Sequence, residues 1–157
     1  MLLALAAAHA EPQSAKPSTP EDRAKAVEFA RSLESDPLGK QAKEQRKWLM
    51  LWLIEVPDIS VKLCGSLLGP LSGDKNYAAE LTTQMAASGV AFMIASSTKA
   101  SDNVAVYTAG VEGTLRAYES ILKVKPKAKW QLLDELIEKR SKGELSEYVR
   151  QAAARCK

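Results

Sequence analysis

Histidine is almost missing from this chain: the one residue, His9, falls inside an apolar leader that reads as removed on export. The mature protein would then carry no imidazole, the usual general base and a common metal ligand, because its pKa lies near neutrality. Cysteine is equally scarce. Cys64 and Cys156 stand far apart with no Cys-x-x-Cys spacing, which excludes a zinc knuckle and a dithiol redox motif. Charge of one sign is also lacking, with a net charge of only +3 and no recognisable nucleic-acid module, so no nucleic-acid partner is expected. No run is apolar enough to span a bilayer. Residues 81 to 98 carry no formal charge, but Thr82, Thr83, Gln84, Ser88, Ser96, Ser97 and Thr98 dilute them, and the stretch reads as a core helix rather than a transmembrane segment.

What is present begins with Leu2 to Ala8, uniformly apolar, followed by the small-residue site Ala8-His9-Ala10. Residues 1–10 are read as a signal peptide, 11–18, with Pro12 and Pro17, as a disordered spacer, and 19–157 as one helical domain. Export would place the chain in the periplasm or outside the cell, where two thiols pair. One bridge, Cys64 to Cys156, is the expected result. The apolar fraction of 46% and charged fraction of 26% suit a globular domain that buries a core of its own.

The periodicity is helical throughout. Thr19-Pro20-Glu21-Asp22 is a helix start, combining a hydroxyl cap, a proline at the first position and acids facing the positive helix end. Ala24, Val27, Ala30 and Leu33 are read as the apolar stripe of that helix, which extends to about Glu34. A second helix from Lys40 ends before Pro57, and its apolar run from Trp48 to Ile54 is expected to be buried all round. A short helix around Ser60 to Leu68 carries Cys64, and Gly65, Gly69, Pro70 and Gly73 make a loop. A long alanine-rich helix follows from Lys75 to about Lys99, then one from Asp102 to Val124, one from Trp130 to Lys139 and one from Glu144 to Arg155. Gly89, Gly110 and Gly113 mark places for close helix approach. The fold class is therefore all-α, a single-domain helical bundle of six to seven helices with one disulfide.

Motifs that carry chemistry are weak. Ser96-Ser97-Thr98-Lys99 and Ser101-Asp102-Asn103 match two short signatures of serine β-lactamases, but elements one residue apart cannot face each other across a substrate. Gly69 to Lys75 lacks phosphate-loop spacing and has no preceding strand. Lys123, Lys125, Lys127 and Lys129, beside Trp130, form a basic connection suited to a phosphate-bearing lipid, an anionic glycan or an acidic protein surface, with a solvated interhelical linker as the plainer reading. Trp48 and Trp52, four apart on one helix face, are candidate ligand contacts, with core packing as the plainer reading. Glu80, Glu112 and Glu119 lie in apolar helices, and an ion pair between Glu112 and Arg116 is the structural alternative to a buried acid.

By elimination, the sequence points to an exported, non-catalytic binding or interaction module for an envelope or extracellular protein or glycan, with no cofactor. The rival readings are a glycan-processing enzyme using a buried Glu80 or Glu112, and a carrier of small apolar ligands near Trp48, Trp52, Met85 and Met93.

Overall fold

The computed structural model describes residues 16–69 and 77–156. The leader, residues 11–15 of the spacer and the Pro70 to Gly73 stretch lie outside them. Among the described residues there are six α-helices and no strand: α1 (Pro20–Ser35), α2 (Ala42–Glu55), α3 (Ala78–Ala95), α4 (Asn103–Val124), α5 (Gln131–Ser141) and α6 (Leu145–Ala153). Cys64 and Cys156 form a disulfide, with Cα atoms 5.6 Å apart.

Helix starts follow local chemistry. The Thr19 hydroxyl accepts from the Asp22 backbone N–H at 3.1 Å, ahead of Pro20, and Asp102 accepts from the Ala105 N–H at 3.1 Å to open α4. The buried stripe of α1 is Ala26, Ala30 and Leu33, whereas Ala24 is exposed. Steps of three residues fall about 60° short of a full turn, so a 24-27-30-33 series winds round the helix, while alternating steps of four and three hold one face.

α3 and α4 form the most extensive helix pair and the centre of the bundle. Gly110 makes their approach possible, since a Cβ there would stand 2.7 Å from the Met85 carbonyl oxygen. One buried cluster groups α1, α2 and α3 around Leu33, Leu49, Trp52 and Val90; the other groups α4, α5 and α6 around Leu115, Tyr118, Leu136 and Val149.

Two expected elements differ. Residues 61–64 are not helical, and a single 3-10 turn, Gly65–Leu67, follows them. Side-chain bonds hold that turn to α6: Ser66 Oγ donates to the Ala152 carbonyl at 3.0 Å, and the Tyr148 hydroxyl donates to the Leu67 carbonyl at 3.0 Å. The long central helix stops at Ala95, and Ser97–Lys99 forms a second 3-10 turn before α4.

The chain between α2 and this turn is clipped to the start of the domain. Asp58 accepts from the Ser18 N–H at 2.8 Å, the Ser18 hydroxyl at 2.7 Å and Arg23 Nη2 at 2.8 Å. The Ser18 N–H first, then its hydroxyl and Arg23, hold the Asp58 carboxyl down from its ordinary 3.8 to about 2. Because the folded value is depressed, the clip contributes fully above the ordinary value and is lost as pH falls through about 2. An NMR titration should place the Asp58 midpoint near 2, with Arg23→Ala raising it. A midpoint at 3.8 in the unaltered protein would show that the clip does not form.

Candidate binding surfaces

The tryptophan pair is core-side packing. Trp48 and Trp52 stack with centroids 5.5 Å apart and planes 11° apart, while Phe29 meets Trp48 edge-on at 5.4 Å. Lys25 Nζ sits 4.3 Å from the centre of the Trp48 ring, a cation–π contact that covers its outer face. Trp52 Nε1 is buried without an acceptor among the described residues. Met85 belongs to the other buried cluster, with Tyr107 and Leu115, and Met93 is half-buried in α3.

Lys123, Lys125, Lys127 and Lys129 are all exposed, while Ala128 between them is buried. Lys123 lies in the last turn of α4 and Lys125 caps it, and the Ala128 N–H donates to the Lys125 carbonyl at 2.9 Å to close a turn. Buried Tyr118 fixes the far end, accepting from the Trp130 backbone N–H at 2.7 Å and donating to Asp134 at 2.9 Å. Burial, chiefly, pushes the Tyr118 hydroxyl up to about 12, so it stays a donor at any physiological pH. Trp130 is half-buried against the α4–α6 cluster.

Glu80 and Glu112 are half-exposed rather than buried. Arg116 turns away from Glu112 and takes a bidentate grip on Glu34 of α1, with Nε at 2.7 Å and Nη2 at 3.0 Å. The Glu34 side chain is only 15% exposed, so its charge is less screened than one on an open helix face. Its hydrogen bond and charge raise the Arg116 pKa. This centre reaches inward: Ser88 Oγ donates to Glu34 Oε1 at 2.7 Å, and Gln84 Nε2 donates to Ser88 Oγ at 2.8 Å and to the Ala30 carbonyl at 3.0 Å. Sequence reasoning missed it. The available signal was Gln84 and Ser88 spaced by four inside an alanine-rich helix, but their acceptors lie more than fifty residues away in the chain.

Glu34, Arg116, Glu119 and Lys123 share a cavity of about 450 Å3 with Arg31 and Ser120. Arg140 grips Glu119 at 2.6 and 3.2 Å. Both carboxylates are thus paired with an arginine from another helix. Among the described residues, no three His, Cys, Asp or Glu side chains converge as a metal site.

The expectation of all-round burial fails for α2. Leu49 and Trp52 are buried, but Met50 is 38% exposed, Leu51 49% and Ile54 76%. The reason is position: among the described residues, the helices that α2 packs on are α1 and α3. Leu63, 53% exposed, lies in the non-helical segment, and with Met50 it lines an apolar groove of about 340 Å3 together with Leu53, Val56, Ile59 and Ala86. Lys43 and Lys47 precede Met50 and Ile54 in one exposed row of α2, with steps of four, three and four residues. Glu44 and Glu55 belong to the neighbouring row with Trp48 and Leu51. No helix among the described residues is long and apolar enough to cross a membrane. Compared with known protein families, curated proteins and solved structures, the chain matches none.

Proposed function

We propose that this protein is an exported, non-catalytic binding module and that its docking surface is the apolar groove beside α2. The observation that carries the reading is that Met50 and Leu63, two large exposed apolar side chains, line one concavity, with exposed Ile54 one turn beyond Met50 in the same row of α2. Export is supported by the Cys64–Cys156 bridge, because such bridges persist in oxidising compartments.

The occupant is an amphipathic helix of a partner protein whose apolar residues are followed by acidic ones. A groove accepts protruding side chains, as in helix-in-groove recognition, and the Lys43–Lys47 end of the row supplies complementary charge. Neither lysine has an ion-pair partner among the described residues.

The test uses a designed leucine/glutamate amphipathic helix, its leucine/lysine counterpart and the full chain. The glutamate peptide should bind more tightly, weaken as salt rises, and lose about tenfold or more in affinity on Met50→Glu with Leu63→Glu. Those positions are exposed, so stability should stay within about 0.5 kcal/mol. Equal affinity for both peptides, or an unaffected double variant, overturns the reading. Dimerisation abolished by Met50→Glu would instead identify a second copy as the occupant, and groove-dependent binding to anionic vesicles a membrane surface; either replaces the partner helix.

A further inference from the structure

Residues 57–63 form a strap along the groove beside α2 and supply five of its lining residues, Pro57, Ile59, Ser60, Val61 and Leu63. No backbone–backbone hydrogen bond among the described residues involves this stretch. Side chains and the two ends must hold it. At the near end Asp58 accepts from Ser18 and Arg23, and Ile59 beside it is buried in the cluster of α1, α2 and α3. Further along, Val61 is half-buried over Gly89 of α3, where a Cβ would stand 3.5 Å from Val61 Cγ2. Lys62 and Leu63 are exposed.

The far end depends on the disulfide. Cys64 follows Leu63 directly and is bridged to Cys156 beyond α6. The bonds that Ser66 and Tyr148 make between the 3-10 turn and α6 attach past Cys64, so the bridge is the link nearest to Leu63. Losing a cross-link first frees the segment with the fewest other bonds, which is the part from Val61 to Leu63.

We infer that closing the Cys64–Cys156 bridge seats the Val61–Leu63 wall of the groove, and that the chain therefore takes up its partner helix when oxidised and not when reduced. The second half rests on the groove being the docking surface. A chain still carrying two thiols, as in a reducing compartment before export, would lack one wall of its site. The oxidant is a disulfide, of a small thiol or of a protein dithiol. Cys156 is the sulfur it reaches, because Cys156 lines a surface cavity of about 590 Å3 while Cys64 is 4% exposed. The Cys156 thiolate attacks one donor sulfur, the donor S–S bond breaks and the first donor thiolate leaves. The Cys64 thiolate then attacks the Cys156 sulfur of the mixed disulfide, forming the bridge and expelling the second donor thiolate. Two electrons pass to the donor, and the protons released by the two cysteines end on its thiols.

The test compares the full chain oxidised, reduced with a phosphine and reoxidised with glutathione disulfide, with thiols counted by mass after alkylation and the leucine/glutamate peptide as probe. Reduction should weaken peptide binding about tenfold or more, and reoxidation should restore it. Cys64→Ser with Cys156→Ser should bind weakly under both conditions. NMR proximity peaks between the Val61 methyls and the Gly89 Hα should vanish on reduction, while the methyl shifts of Leu33 and Val90 persist and show that the fold remains. Unchanged affinity with two free thiols, retained Val61–Gly89 peaks, or wholesale loss of the Leu33 and Val90 signals would each overturn the inference. An oxidised chain that binds no peptide overturns the groove reading and the partner consequence with it, and the Val61–Gly89 peaks then decide the seating alone.

Discussion

Replacing Cys64 and Cys156 together with serine is expected to destabilise the domain by about 2 to 5 kcal/mol, with the loop-closure value near the top of that range. The bridge spans 92 positions, so its loss releases a long loop in the unfolded chain. Urea unfolding should register the loss, and the melting temperature should fall by roughly 10 °C. The damage should be local first. Ser66, Tyr148 and the bridge together hold the 3-10 turn to α6, so amide exchange should rise in Leu145–Ala153 before it rises in α3. Unchanged stability would mean that the bridge is not formed in the purified protein.

Gly113→Ala should cost about 2 to 3 kcal/mol, although alanine is the better helix former. The added Cβ would stand 1.9 Å from Ser88 Oγ and 2.6 Å from Glu34 Oε1, inside the polar centre that joins α1, α3 and α4. Either the helices move apart or Ser88 and Glu34 lose their bond, leaving buried polar atoms unpaired. A reciprocal exchange, Gly113→Ala with Ser88→Gly, should recover the packing but not the hydrogen bonds, and the double-mutant cycle reads the difference. Gly65→Ala is the control: nothing lies within 4 Å of its Cβ position, and the effect should stay within about 0.5 kcal/mol. A Gly113→Ala protein as stable as its parent would show that α3 and α4 are not in the close contact described.

The helices were legible because their signals are local. Thr19 before Pro20, Asp102 before α4 and Val56 before Pro57 act through bonds or clashes within a few residues, and each stands where the sequence placed it. Gly110 and Gly113 were legible as contact points for a related reason: glycine inside a long helix costs stability unless a neighbour uses the space. The partners were not legible. Arg116 had Glu112 one turn away and chose Glu34 across 82 positions of sequence, because a shielded carboxylate competes better than an exposed one.

The α2 surface failed in the opposite direction. An apolar run from Trp48 to Ile54 is the same text whether neighbours cover one side or all sides, so composition cannot report that Met50, Leu51 and Ile54 face outward. Nor can it report that Glu80 and Glu112 stay half-exposed in apolar helices, or that Leu63 closes a groove on one side and a cavity on the other.

Read alone, the amino-acid order determined a helical bundle, its caps and breaks, and a single pair of cysteines to bridge, since these rest on short-range geometry and on residue counts. Which carboxylate meets which arginine and which apolar side chains remain uncovered were decided only by packing. Those outcomes depend on which helix faces meet, a choice settled by side chains distant in the chain competing for the same space.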